Sequence, residues 1–323
     1  MSQGIAEVND INIWWEDFGD SSDPAVLLIM GGGGGGANAN ALQWNIEFID
    51  PIVKAGFYVV RFDNRDVGKS TWFNKESILS KVAKLLPLSI SSKLIDYVFN
   101  IVTDEEGNFT ASQRSSNAKY DLNDMAQDAI ALMDHLNISK AHIVGASMGG
   151  MITQVIGLDH SERALSLTPI MSSPGMGDPD LSVMTASLVE GMKESFLLNI
   201  QGKYEDGVVR IYKELTGSRY PFDERKFRER MKPSMDHGYN PHAGHGDAVG
   251  ASENRRKRLN EIKIPTLVIH GTEDAILPLD HGQALADGIP NAQMMVLDRV
   301  GHEIPEEMTH EITSRIIEHF NSI

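Results

Sequence analysis

The chain contains no cysteine. That single absence excludes disulfides, cysteine-ligated zinc, iron–sulfur clusters and a cysteine nucleophile together. It also points to a reducing compartment, where disulfides are rare. Positive charge is scarce: 29 Lys and Arg face 45 Asp and Glu, a formal charge of −16. A field of that sign repels phosphate backbones and anionic lipid, so neither a nucleic acid nor a membrane surface is the expected partner. Long apolar runs are missing too. The longest, such as Ala25–Met30 and Ile264–Ile269, suit strands and fall far short of a membrane span. The first residues, MSQGIAEVNDINIWWEDFGD, are acidic and carry neither a basic n-region nor an apolar h-region, so no signal peptide is expected and the protein reads as cytoplasmic. With 323 residues the chain can bury a large core without a metal or disulfide staple.

What is present is an alternation of short β-branched runs with longer helical patterns, the mark of an α/β protein with a mostly parallel sheet flanked by helices. Strands are expected at Ile11–Phe18, Ala25–Met30, Phe57–Phe62, Ala141–Ala146, Ala164–Ile170, Thr266–His270 and Met294–Leu297. Apolar residues recur at three- and four-residue steps through Asp121–Leu136, which predicts a helix with Asp121 as N-cap and Asp124 in its first turn. Glu306–Phe320 reads as a closing helix. Two segments break the alternation. Residues of about 75–119 look like a helical insertion ending in a polar loop. Residues 172–260 hold no strand pattern, many Met and charged residues and Gly/Pro turns, the composition of a mobile helical cap. The expected organisation is a core of residues 1–171 and 261–323 with the cap set after the sixth strand.

The chemistry centres on Gly145-Ala146-Ser147-Met148-Gly149-Gly150, which follows the strand AHIV and precedes the amphipathic run Met151–Leu158. Strand, tight turn and helix are the context of a nucleophile elbow, in which Ser147 Oγ stands at a helix N-terminus. A serine hydroxyl needs a base, and the base needs an orienting acid. The strand at Thr266–His270 leads to Asp274, and the strand at Gln293–Leu297 leads to His302, in the order Ser, acid, His. Glu273 is the alternative acid. Alone, Asp274 reads equally as a helix cap and His302 as a surface loop residue. An oxyanion hole requires two backbone N–H groups. Met148 is the candidate on one side, and Gly32 in the loop after Ala25–Met30 on the other.

Other patterns compete. Gly31, Gly33 and Gly36 satisfy GxGxxG, yet six consecutive glycines match almost any glycine motif, and Asp63 lies too far downstream for the acidic partner of a dinucleotide fingerprint. Gly68-Lys69-Ser70 lacks the first glycine of a P-loop. The turn Asp63–Ser70 is expected to be structural, with Asp63 and Arg65 hydrogen-bonding loop backbone. His237, His242, His245 and Asp247 cluster in a Gly/Pro-rich stretch, but their irregular spacing suits a loop at the cap–core junction better than zinc. No cofactor or metal is expected. Met184–Leu198 either lines an acyl pocket or packs the cap's own core. Arg255-Arg256-Lys257-Arg258 reads as a solvated helix face.

Together the glycine loop, the D-x-R-x-x-G-x-S turn at Asp63–Ser70, the Ser147 elbow, the acid loop at Asp274 and Gly301-His302 resemble the α/β-hydrolase superfamily along nearly the whole chain. Gln43-Trp44, RFDNRDVGKS and VGASMGGMITQVIGLDHSER are similar to the branch containing aclacinomycin methylesterase. The resemblance implies a Ser–His–Asp hydrolase acting on a small-molecule carboxylic ester or lactone. A serine in the elbow excludes the aspartate-nucleophile dehalogenases and epoxide hydrolases. Lactonase, C–C hydrolase, hydroxynitrile lyase, perhydrolase and non-enzymatic receptor functions share the fold, and self-association is left open. The glycine run and the 75–119 segment are longer than in the methylesterase and border the expected pocket, so the resemblance carries the chemistry and not the substrate.

Overall fold

The computed structural model describes residues 1–34, 37–76, 78–102 and 118–323. Eight strands form one sheet: β1 (Gln3–Val8), β2 (Ile11–Phe18), β3 (Ala25–Ile29), β4 (Tyr58–Phe62), β5 (Ala141–Ala146), β6 (Ala164–Ile170), β7 (Leu267–Gly271) and β8 (Gln293–Leu297). Their order is β1-β2-β4-β3-β5-β6-β7-β8. The β1–β2 and β2–β4 pairs are antiparallel, and every other pair is parallel. This is the mostly parallel, helix-flanked sheet that the sequence pattern predicts, in the α/β-hydrolase arrangement that the resemblance implies. Strand β1 was not expected from the pattern. Only Ala6 in it is buried, so it lacks an apolar signature. It is held by a two-residue hairpin in which Asn9 and Asp10 both take positive φ (48° and 61°), as a type I′ turn requires.

Period-two alternation sends side chains to two cores. From β3, Ala25, Leu27 and Ile29 face a cluster shared with α4 (Leu122–His135) and α5 (Met148–Asp159). Val26 and Leu28 face the opposite cluster, shared with α1 (Ile46–Lys54) and α11 (Thr309–Asn321). Helix α11 contributes Ile312, Ile316 and Phe320, spaced one helical turn apart. The predicted N-cap of α4 is present as a capping box between Asp121 and Asp124.

Between β6 and β7 the chain is helical: α6 (Ala186–Ile200), α7 (Tyr204–Leu215), α8 (Glu224–Gly238) and α9 (His245–Ala251), then a 3-10 turn at Arg256–Glu261. Helices α2 (Ile78–Leu85) and α3 (Leu88–Val102) occupy the earlier insertion, and its expected polar loop falls mostly outside the described residues. Ile95 of α3 packs on Val189 of α6, with Met184 and Met192 beside them. Met184 and Met192 also pack on Leu188, Ile211, Leu215 and Ala275, so these methionines fill helix–helix contacts. The remaining helix α10 (Leu279–Gly288) lies between β7 and β8. No helix among the described residues is long and apolar enough to cross a membrane.

The basic run departs from expectation. Arg256 pairs with Asp178 and Asp180, and Arg258 with Asp159 and Glu261. Arg255, however, is 4% exposed and forms no ion pair among the described residues. Its Nε donates to Gln154 Oε1 at 3.2 Å and its Nη1 to Glu253 O at 2.9 Å. Burial pushes its pKa down to about 10. The 3-10 turn rotates Arg255 inward, so the run is not one solvated face.

Candidate active site

The strand order reverses between β3 and β5, so their C-terminal ends emerge side by side, with Ile29 opposite Gly145. Such a switch point is where open α/β sheets bind ligands. The glycine loop leaves β3 there, and Ser147 leaves β5.

Ser147 takes φ 54° and ψ −118°, a strained turn that L-residues rarely adopt. The surroundings fix it. Ser147 N donates to Ile170 O at 2.8 Å, and its carbonyl accepts from Ser172 Oγ at 2.8 Å. The flanking glycines are required by contact: a Cβ on Gly145 would meet Gly149 O at 2.2 Å, and one on Gly149 would meet Ile29 O at 2.1 Å. Helix α5 thus starts directly behind the serine, and its first N–H, that of Met148, has no acceptor among the described residues.

The glycine loop crosses this elbow. A Cβ on Gly31 would lie 3.1 Å from Ser147 Cβ, and one on Gly32 would lie 3.9 Å from Met148 Cβ. Gly33 N donates to His245 Nδ1 at 2.7 Å, and Gly34 N to Ala37 O at 3.0 Å. Gly32 N–H donates to no described residue, so Gly32 and Met148 each present a free donor beside Ser147. The loop carbonyl Met30 O accepts from Asn64 Nδ2 at 2.9 Å. Gly36 of the GxGxxG pattern lies outside the described residues.

Asp274 and His302 come together. His302 Nδ1 lies 2.7 Å from Asp274 Oδ2, and both residues are buried. Asp274 Oδ1 also accepts from Ile276 N (2.9 Å) and Leu277 N (2.8 Å), which tie down the turn ahead of α10; that helix has Pro278 as its N-cap, so Asp274 caps a turn and not a helix. Burial pushes the Asp274 carboxyl up, but His302, His270 and the backbone donor outweigh it and hold its pKa below the usual range. The ionised carboxylate makes Nδ1 the protonated nitrogen and leaves Nε2 with a lone pair. Glu273 is exposed, and its carboxylate is taken by Ser218 N (2.6 Å) and Ser218 Oγ (2.8 Å), not by His302. Ser147 Oγ makes no hydrogen bond to His302 among the described residues.

The supporting residues were partly misread in sequence. Asp63 does hold loop backbone, accepting from Ala41 N and Lys69 N, each at 2.8 Å. Arg65 does not: its guanidinium forms a buried two-point pair with Asp128, at 2.7 and 2.8 Å. The three histidines do not converge. His237 lies within α8, not a loop, and meets Asp63 Oδ2 at 2.7 Å. His242 N donates to Asn240 Oδ1 at 3.0 Å. His245 is buried, with Nε2 donating to Arg65 O at 2.7 Å while Nδ1 accepts from Gly33. Among the described residues no three His, Asp or Glu gather as a metal-binding group.

A model of the alpha/beta hydrolase fold family matches residues 24–308. Among sequence relatives, a rhodomycin D methylesterase of Streptomyces sp. strain C5 is 25% identical over 96% of this chain and 95% of its own. A 2-hydroxy-6-oxo-6-phenylhexa-2,4-dienoate hydrolase of Comamonas testosteroni is 27% identical over 97% of this chain and 92% of its own. Among solved structures, an esterase from Exiguobacterium antarcticum superposes with a TM-score of 0.68 at 17% identity, covering 99% of this chain and all (100%) of that one.

Proposed function

The chain belongs to the α/β-hydrolase family, and from that premise we propose that it is a serine carboxylesterase for a small, neutral or hydrophobic ester. The observation that carries the proposal is the Asp274–His302 hydrogen bond of 2.7 Å, which leaves His302 Nε2 as a base at the strand ends that also present Ser147. In this reading His302 Nε2 takes the proton of Ser147 Oγ as the oxygen attacks the ester carbonyl. The Gly32 and Met148 N–H groups receive the tetrahedral oxyanion. His302 returns the proton to the leaving alcohol, and an acyl-serine remains. Water then attacks with His302 again as base, and Ser147 is regenerated with the carboxylic acid released. Asp274 keeps the imidazole in the tautomer this cycle needs. Residues 172–260 serve as the cap, with helix α3 packed beside it. The acidic balance of the chain supports an uncharged substrate over an anionic one.

The test is hydrolysis of p-nitrophenyl esters from acetate to decanoate by wild type and Ser147→Ala. Wild type turns over a window of chain lengths, and the variant loses activity by roughly 10⁵–10⁶ while remaining folded. Equal rates in both would end the nucleophile assignment. A second reading, C–C bond hydrolysis, is favoured by the Comamonas relative, a 2-hydroxy-6-oxo-6-phenylhexa-2,4-dienoate hydrolase by name. It predicts consumption of that compound with no ester turnover. A lactone panel separates ring opening from both.

A further inference from the structure

The two residues that adjoin the Asp274–His302 pair in sequence, Glu273 and Glu303, both reach the same short stretch of the cap. Glu303 accepts from Gly217 N at 3.1 Å and from Thr216 Oγ1 at 3.3 Å. Glu273 accepts from Ser218 N at 2.6 Å and Ser218 Oγ at 2.8 Å. His302 itself is tied to this stretch, since its backbone N donates to Leu215 O at 2.8 Å. Arg219 N closes the set on Arg299 O at 2.8 Å. The approach is as close as backbone allows: a Cβ on Gly301 would sit 2.0 Å from Leu215 O, and one on Gly217 would sit 2.4 Å from Arg299 O. Glycine at both positions is what lets the strands of chain touch. Glu273 N also donates to Val300 O at 2.9 Å, so the acid loop, the histidine loop and the cap segment form one bonded unit. Helix α7, which ends in this segment, is held at the glycine-loop side by Tyr212 Oη donating to Asn38 O at 2.8 Å. The last turn of this helix therefore touches both the chain after the glycine loop and the histidine loop.

We infer that Glu303, assisted by Glu273, is a positioning residue that fastens the cap segment Leu215–Ser218 to the acid and histidine loops, so that the cap sets the reach of His302 toward Ser147. The inference rests on the esterase reading only for its kinetic readout. Each carboxylate of this pair acts through the loop it stands on. A cap that is part of the catalytic support must stay docked at this edge during turnover, and substrate entry falls elsewhere on its rim.

The experiment compares wild type, Glu303→Gln, Glu303→Ala and Thr216→Val by kcat and KM on the best ester. It adds thermal unfolding and the downfield ¹H NMR signal of His302 Nδ1–H, assigned by its loss in His302→Ala. Glu303→Ala is expected to lower kcat about tenfold with KM within about threefold, and to shift or broaden the Nδ1–H signal, because a small displacement of a catalytic base is costly. Glu303→Gln keeps an oxygen acceptor for Gly217 N and is expected to recover most of kcat and the wild-type signal. Wild-type kcat and signal in Glu303→Ala would overturn the inference, as would a Gln variant no better than Ala. If Glu303→Ala fails to fold, Thr216→Val, which removes the side-chain donor to Glu303, carries the same comparison: a lowered kcat with a moved signal supports the tether, and unchanged values refute it. If wild type hydrolyses no ester, the esterase reading fails, while the Nδ1–H signal still decides the positioning claim.

Discussion

At the scale of single residues, the support beneath the glycine loop is a neutral histidine. His245 Nδ1 accepts from Gly33 N, and its Nε2–H donates to Arg65 O, an arrangement only one tautomer satisfies. Burial lowers its pKa, which keeps it in that uncharged form. His245→Ala should therefore free Gly33 and, with it, the aim of Gly32 N–H. The expected outcome is a fall in kcat of about 10–100-fold, short of losing an oxyanion donor outright, with KM little changed. Steady-state kinetics at neutral pH check this, and an unaffected kcat would remove His245 from the support. In sequence, the elbow at Ser147 and the meeting of Asp274 with His302 were legible because each of these residues follows a strand that its own apolar run announces. His245 was legible only as one of three nearby histidines. Its partners are backbone atoms more than 170 positions upstream, and backbone groups leave no mark on composition or spacing.

At the scale of elements, the same contrast appears between local and long-range signals. Helix α4 was readable from its period and its capping box because both are written within one stretch of chain. What locks it to the loop after β4 was not. Arg65 and Asp128 form a pair that is 7% and 2% exposed, and Asn9 Nδ2 adds a third bond to Asp128 at 3.0 Å. Removing one partner of such a pair leaves a buried charge uncompensated. Asp128→Ala should cost about 3–5 kcal/mol in urea unfolding. A cost below about 1 kcal/mol would place the pair among weak surface bridges instead. Arg255 carries the complementary lesson. A run of four basic residues looks like a solvated face, yet one 3-10 turn buries its first member against Gln154. Strand β1 escaped notice for the opposite reason, since an exposed edge strand needs few apolar residues.

At the scale of the whole molecule, the helical insertion after β6 is bonded to the rest of the chain through polar contacts that no single segment could disclose. Ser234 of α8 meets Asn38 Nδ2 at 2.9 Å and Asn40 Oδ1 at 2.7 Å, all buried. The sheet's far end holds a different device. His142 on β5 stacks on Phe320 of α11 at 4.2 Å and meets Ser166 Oγ at 2.8 Å. Burial pushes its pKa down to about 4, with His319 adding to the effect. The unfolded chain then takes up a proton near the ordinary value of 6.5 while the folded protein does not. Stability contributed by neutral His142 is complete above about pH 6.5 and is lost as pH falls toward about 4, by up to ~3 kcal/mol. His142→Gln should flatten that loss in Tm measured from pH 7 to pH 4.5. An unchanged slope would assign the acid sensitivity elsewhere.

The account as a whole turns on Ser147 being the activated nucleophile, and covalent labelling addresses that most directly. Wild type, Ser147→Ala and His302→Ala would be treated with a fluorophosphonate and the adduct located by peptide mass mapping. A single adduct on Ser147 in wild type, absent from Ser147→Ala and strongly slowed in His302→Ala, is the predicted result. An adduct on another residue, or labelling indifferent to His302, would contradict it.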